Sequence, residues 1–141
     1  MRLMSTKERV FQITAAIAAL YHLALGLAGL LLRAGTLEST IQTFLGFVPE
    51  FTPALAMAVR FAGAYVLAFG VMMGLLALNP RRYRVLCIPA LVLFGVRLVN
   101  RILLFGQISE LYSVSPARNL FGVVSLALLF VLVLATAPKQ D

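Results

Sequence analysis

Residues 54–84 read ALAMAVRFAGAYVLAFGVMMGLLALNPRRYR. From Ala54 to Leu78 the chain is apolar except for one charge, Arg60, and it starts directly after Pro53. A helix crossing the hydrocarbon layer needs about 20 such residues, so this run is long enough to span. Asn79-Pro80 then breaks the helix. Arg81, Arg82 and Arg84 crowd the turn that follows, as in short loops retained on the cytoplasmic side.

Three similar runs lie to either side. Val85 to Phe105 carries Arg97, Asn100 and Arg101; Val10 to Leu32 ends at Arg33 and Gly35; and a run from about Leu120 to Ala137 is closed by Pro138. Together the four runs use most of the 141 residues, and the chain is 62% hydrophobic, 12% charged, with a mean hydropathy of +0.99. A soluble domain carries about 25% charge and 45–50% apolar residues. The expected fold is therefore all-α: an integral membrane four-helix bundle, up-down-up-down, forming a single transmembrane domain over 1–141. A soluble catalytic domain, a nucleotide-binding sheet and a disulfide-stapled secreted fold are excluded by arithmetic.

The net charge of +7 and the pI near 10.6 do not imply nucleic acid, because the basic residues lie beside or inside apolar runs with no solvent-facing basic domain to present them. The lipid bilayer is the expected partner. Cys87 is the only cysteine, so a disulfide or a thiolate metal cluster within one chain is excluded. Arg2, Lys7 and Arg9 ahead of the first run imitate a signal peptide, but the run is too long for one and lacks a clear cleavage site. It reads as a retained span. On the side of both termini and the 79–84 turn stand Arg2, Lys7, Arg9, Arg81, Arg82, Arg84 and Lys139; the opposite loops hold Arg33 and Arg118. This asymmetry puts both termini in the cytoplasm.

In the first outer connector, Ala34 to Pro53, the residues Leu37, Ile41, Phe44, Leu45 and Val48 recur at helical spacing after Thr36 and Ser39 as N-cap candidates. A short amphipathic helix is expected there. The second outer connector, Gly106 to Asn119, shows no period. Small residues spaced four apart, Gly70 with Gly74 and Ala24 with Ala28, mark close helix approach.

Charged side chains at membrane depth cost roughly 2.5–3.5 kcal/mol each on insertion scales and so point to function. At a rise of about 1.5 Å per residue, His22, Tyr65, Arg97 and Ser125 share a layer roughly 18–20 Å from the cytoplasmic ends, with Arg60, Asn100 and Arg101 further out. Arg97, Asn100 and Arg101 fall at i, i+3 and i+4 and so share a face. Two arginines one turn apart repel unless an anion lies between them, and Arg60 is placed to join them. Internal candidates for the partner are Glu38, Glu50 and Glu110; external ones are a lipid phosphate, an anionic metabolite or a quinone-type carbonyl head. The plainer reading has Arg60 and Arg101 snorkel to the interface and pairs Arg97 structurally.

His22 lies in Ala18-x-x-x-His22-x-x-x-Gly26, which resembles the pigment-binding helices of light-harvesting peptides and would imply pigment or haem binding. The plain reading is a hydrogen-bonded histidine inside the bundle. No span contains paired carboxylates, a nucleophile beside a base, a metal-ligand cluster or a phosphate loop. Catalytic residues, a metal and a resident cofactor are not expected; a quinone, beside the pigment or haem alternative at His22, is the cofactor-like candidate.

The glycine-rich first span, the longer outer connector, Arg60-Phe61-Ala62-Gly63-Ala64-Tyr65 leading to Phe69-Gly70, the Asn79-Pro80-Arg81-Arg82 turn and Arg97 with Arg101 resemble small four-span bacterial proteins of the DoxX-like and BphX-like kind. The resemblance spans nearly the whole chain and implies a bacterial inner-membrane bundle, with some relatives attached to quinone-linked oxidoreductases. It brings no catalytic residues. The functional expectation is a non-enzymatic accessory or interaction subunit with a basic outer-leaflet pocket, partnered by another membrane protein or a second copy. The alternative is a binder or carrier of a small amphipathic ligand, a quinone or lipid, working with a redox partner.

Overall fold

The computed structural model describes residues 5–45 and 52–138. It is all-α, with no strand among the described residues. The helices are α1 (Thr6–Leu31), α2 (Ala34–Leu45), α3 (Pro53–Leu78), α4 (Cys87–Leu103), α5 (Phe105–Leu111) and α6 (Pro116–Thr136), with a 3-10 turn, Arg84–Leu86, leading into α4. Four of these segments are long and apolar enough to cross a membrane.

Capping chemistry sets the helix starts. Ser5 and Glu8 form a reciprocal capping box: the Glu8 amide donates to the Ser5 hydroxyl at 3.3 Å, and the Ser5 amide donates to the Glu8 carboxylate at 3.0 Å. Two otherwise unpaired amides are satisfied, and α1 begins before the apolar run expected from Val10. Thr52 and Ser115 cap α3 and α6 through their side-chain hydroxyls alone, which accept from the Leu55 and Arg118 amides, each with proline in the first turn, where its missing N–H costs nothing. The cap at Ser115 is why α6 begins at Pro116 and not near Leu120. In α2 the expected caps Thr36 and Ser39 lie inside the helix, where the Ser39 and Thr40 hydroxyls donate back to the Thr36 carbonyl. Leu37 and Ile41 are buried, as an amphipathic helix requires. Val48 and Glu50, and the side chains of Phe44 and Leu45, lie outside the described residues.

The third apolar run does not continue to Phe105. It stops at Leu103, turns at Leu104 and restarts as α5, so the connector read as aperiodic contains a seven-residue helix. After α5 the chain reverses through Ser113, whose φ of 52° is left-handed.

The order of close approaches fixes the packing. A Cβ at Gly26 would lie 2.5 Å from the Leu67 amide nitrogen, one at Gly29 3.2 Å from the Gly63 Cα, and one at Gly70 2.7 Å from the Leu23 nitrogen. Positions rise along α1 as they fall along α3, so the two helices are antiparallel and their backbones nearly touch. Here the tight contact uses Gly26, Gly29, Gly63 and Gly70. Gly74 is looser, and Ala24 is exposed and outside the seam. Likewise Gly95 faces Phe130 and Gly122 faces Arg101, so α4 and α6 are antiparallel. Helix α1 also packs on α6, while α3 and α4 meet less closely, with the centroid of the Phe69 ring 5.3 Å from that of Phe94. The core comprises Phe11, Ala15, Ala18, Met73, Leu76, Ala90, Phe94 and Val133 among others.

The outside of the bundle is apolar as well. On α4, Ile88, Val92, Val96, Val99 and Leu103 form a continuous exposed row; on α6, Phe121, Val124, Leu128 and Val131 do the same. Apolar rows of this length on every long helix match hydrocarbon and not water. The chain reads as a multi-pass membrane protein.

Candidate functional site

The site begins with the bundle's one histidine. His22 is 2% exposed on α1, facing Phe69 of α3 and Phe94 of α4, whose rings meet it edge-on at 4.7 and 6.3 Å between centroids. Its Nδ1 lies 2.7 Å from the Ala18 carbonyl oxygen and its Nε2 2.8 Å from Arg97 Nη1. A carbonyl only accepts and a guanidinium only donates, so Nδ1 carries the proton and Nε2 offers its lone pair. The imidazole is therefore neutral and serves as a tether between α1 and α4. Both ring nitrogens are in use. A pigment or haem at His22 would have to break the contact with Arg97, because Nδ1 is protonated and tied to the backbone.

The expected common depth of His22 and Arg97 is realised as direct contact, with a partner that carries no negative charge. Tyr65, assigned to the same layer, is 78% exposed on the outer side of α3. Depth along a helix says nothing about which way a side chain faces.

From Arg97 the stripe continues outward. Arg97, Asn100 and Arg101 line an open cleft of about 220 Å³ with Leu104 at the corner, Ile108 of α5 and Leu126 of α6. The Arg101 guanidinium lies against Gly122: a Cβ there would come within 2.6 Å of it, and only glycine leaves it room in this position. Arg101 Nε is buried and has no hydrogen-bond partner among the described residues. The cleft thus presents donors and positive charge on one side and aliphatic surface on the other.

Arg60 is exposed on α3 and does not line this cleft. The expected convergence is Arg97 with Arg101, without Arg60. Glu38, half-buried on α2, and Glu110, exposed on α5, do not line it either, and no ion pair joins them to Arg97 or Arg101 among the described residues. Glu50 lies outside the described residues.

Asn119, which the sequence reading passed over, holds the cleft's wall. It is fully buried at the start of α6, and its amide nitrogen donates to the Phe105 carbonyl at 2.8 Å and the Ser109 hydroxyl at 3.2 Å. This fixes the α4–α5 corner, and so the position of Leu104 and Ile108. The available signal was an uncharged amide in the first turn of α6, after Arg118 and directly ahead of the apolar run from Leu120. Arg118 adds a tie to α2 by donating from Nη2 to the Thr43 carbonyl at 2.8 Å. At the opposite end of the bundle Arg81 pairs with Glu8 at 2.6 Å, linking the start of α1 to the α3–α4 turn.

Among the described residues, no three His, Cys, Asp or Glu side chains gather as a metal site would need. The chain matches no family model, no curated protein and no solved structure.

Proposed function

We propose that the chain is a four-span bacterial inner-membrane protein of the DoxX-like or BphX-like kind, with both termini cytoplasmic and no catalytic role of its own. In that orientation the cleft opens toward the outer leaflet. Its task is to receive the polar head of a small amphipathic ligand, quinone-like or lipid-like, as an accessory or carrier subunit beside a membrane partner.

One observation carries this reading: Arg97, Asn100 and Arg101 share an open cleft with Leu104, Ile108 and Leu126, so hydrogen-bond donors and aliphatic surface converge as an amphiphile requires. Plain anchoring accounts well for Arg60, which is exposed. It accounts poorly for Arg97, which is turned inward onto a buried histidine.

Purification in mild detergent followed by mass spectrometry of co-purifying small molecules tests the proposal. A stoichiometric amphiphile retained by the wild type and lost in Arg97→Ala is expected. An identical profile for the two proteins would contradict it.

A further inference from the structure

Charge decides which head group the cleft suits. Arg97 and Arg101 stand one turn apart on α4 and line the same space. Like charges at that spacing repel, and more strongly where the dielectric is low. Proteins that bury such pairs ordinarily cancel the charge with a carboxylate. Here Arg97 is held by an imidazole whose second nitrogen is tied to the Ala18 carbonyl, a partner that supplies a lone pair and no charge. Arg101 rests on the Gly122 backbone with a buried, unpartnered Nε. Glu38 and Glu110 are not among the lining residues.

We infer that the cleft selects an anionic amphiphile, with a carboxylate or phosphate head received jointly by Arg97, Asn100 and Arg101 and an apolar body lying over Leu104, Ile108 and Leu126. His22 is the positioning residue: it orients Arg97 without neutralising it, so the cation remains available to the ligand. A neutral carbonyl head satisfies a hydrogen bond but leaves two guanidinium charges uncompensated at membrane depth. A carboxylate or phosphate supplies both the charge and two or more acceptor oxygens that fit the guanidinium fork. The inference rests on the proposed ligand-binding role and narrows it to one ligand chemistry.

The test offers the purified full chain, in neutral detergent, five probes: oleate, phosphatidylglycerol, phosphatidylcholine, a decyl-substituted benzoquinone and inorganic phosphate, with retention read by native mass spectrometry. Oleate or phosphatidylglycerol is expected to bind about tenfold or more tightly than phosphatidylcholine and the quinone. The order of the first two identifies a carboxylate or a phosphate head as the preferred source. Inorganic phosphate, having no tail, is expected to bind more weakly than either.

Arg101→Gln should cost the anionic probes about tenfold with little change in melting temperature. His22→Glu should abolish the preference for anions by placing a carboxylate on Arg97, while the neutral His22→Gln keeps it. If His22→Glu does not fold, Arg101→Gln still decides. Equal retention of the quinone and the anionic probes would overturn charge selection and leave the ligand-binding role standing. Failure of every tailed probe would remove both, and phosphate binding as tightly as the tailed anions would overturn the assignment of the apolar wall.

Discussion

The two halves of the bundle are built on opposite plans. In the α1–α3 pair, Gly26, Gly29, Gly63 and Gly70 bring the helices together until backbone meets backbone. In the α4–α6 pair, long side chains keep the helices apart: Phe130 lies over Gly95 and the Arg101 guanidinium fills the space at Gly122. Close packing of small residues supplies the dispersion contact that holds helices together in lipid, where no hydrophobic force acts between them. A looser pair leaves room for a cleft and for polar side chains within it. Stability is thus concentrated in one half and chemistry in the other, with the His22–Arg97 contact joining them.

The comparison breaks most readily at Gly26. Its Cβ would strike the Leu67 backbone, which cannot move aside as a flexible side chain does. Gly26→Ala should cost about 3 kcal/mol, read as reduced resistance to unfolding in mixed detergent. Asn119→Ala comes next: it removes the amide donor from the partly buried Phe105 carbonyl, an effect of about 1–3 kcal/mol. Its signature is local, with amide exchange rising in α5 before it rises in α1 or α3.

A double-mutant cycle between His22→Leu and Arg97→Leu measures the link between the halves, with an expected coupling of about 1 kcal/mol, within the range found for hydrogen bonds between membrane helices. A coupling near zero would mean that the two side chains do not depend on each other. The smallest effect is expected at Gly95, where a Cβ would make only ordinary contact, 3.5 Å from the Phe130 ring. Gly95→Ala should be neutral or stabilising by up to about 1 kcal/mol through helix propensity. If it proves as damaging as Gly26→Ala, the contrast between the halves fails.

The four long helices were legible because a span demands an uninterrupted apolar run, and Val10–Leu32 or Ala54–Leu78 has no other use in a chain this short. Their facing was much less legible. A helix that is apolar all round gives periodicity little to report, so depth alone grouped Tyr65 with the inner layer although it lies on the surface, while the exposed Arg60 fits the snorkelling reading and not the convergence with Arg97 and Arg101. On α4 the polar triplet itself marks a face, so Arg97, Asn100 and Arg101 were grouped correctly. The tight seam was missed in α1 because Ala24 and Ala28 have the same size and spacing as the residues that form it. The corner at Leu104 was hidden because α5 is too short to establish a period; only Asn119, which clamps it from fourteen residues away, explains why the chain turns there. For Arg97 the sequence points to an acidic side chain or an external ligand head, since charge calls for charge, whereas the contact within the chain is the neutral lone pair of His22.

That contact is also the most accessible to direct measurement, because His22 is the only histidine in the chain. Isotope-edited nitrogen NMR of the protein in micelles at neutral pH reports one imidazole. The hydrogen-bond pattern predicts a protonated Nδ1 and an unprotonated Nε2 that shifts when Arg97 is replaced by leucine. An imidazolium signal, or the opposite tautomer unaffected by that replacement, would contradict the neutral tether and the available Arg97 cation that depends on it.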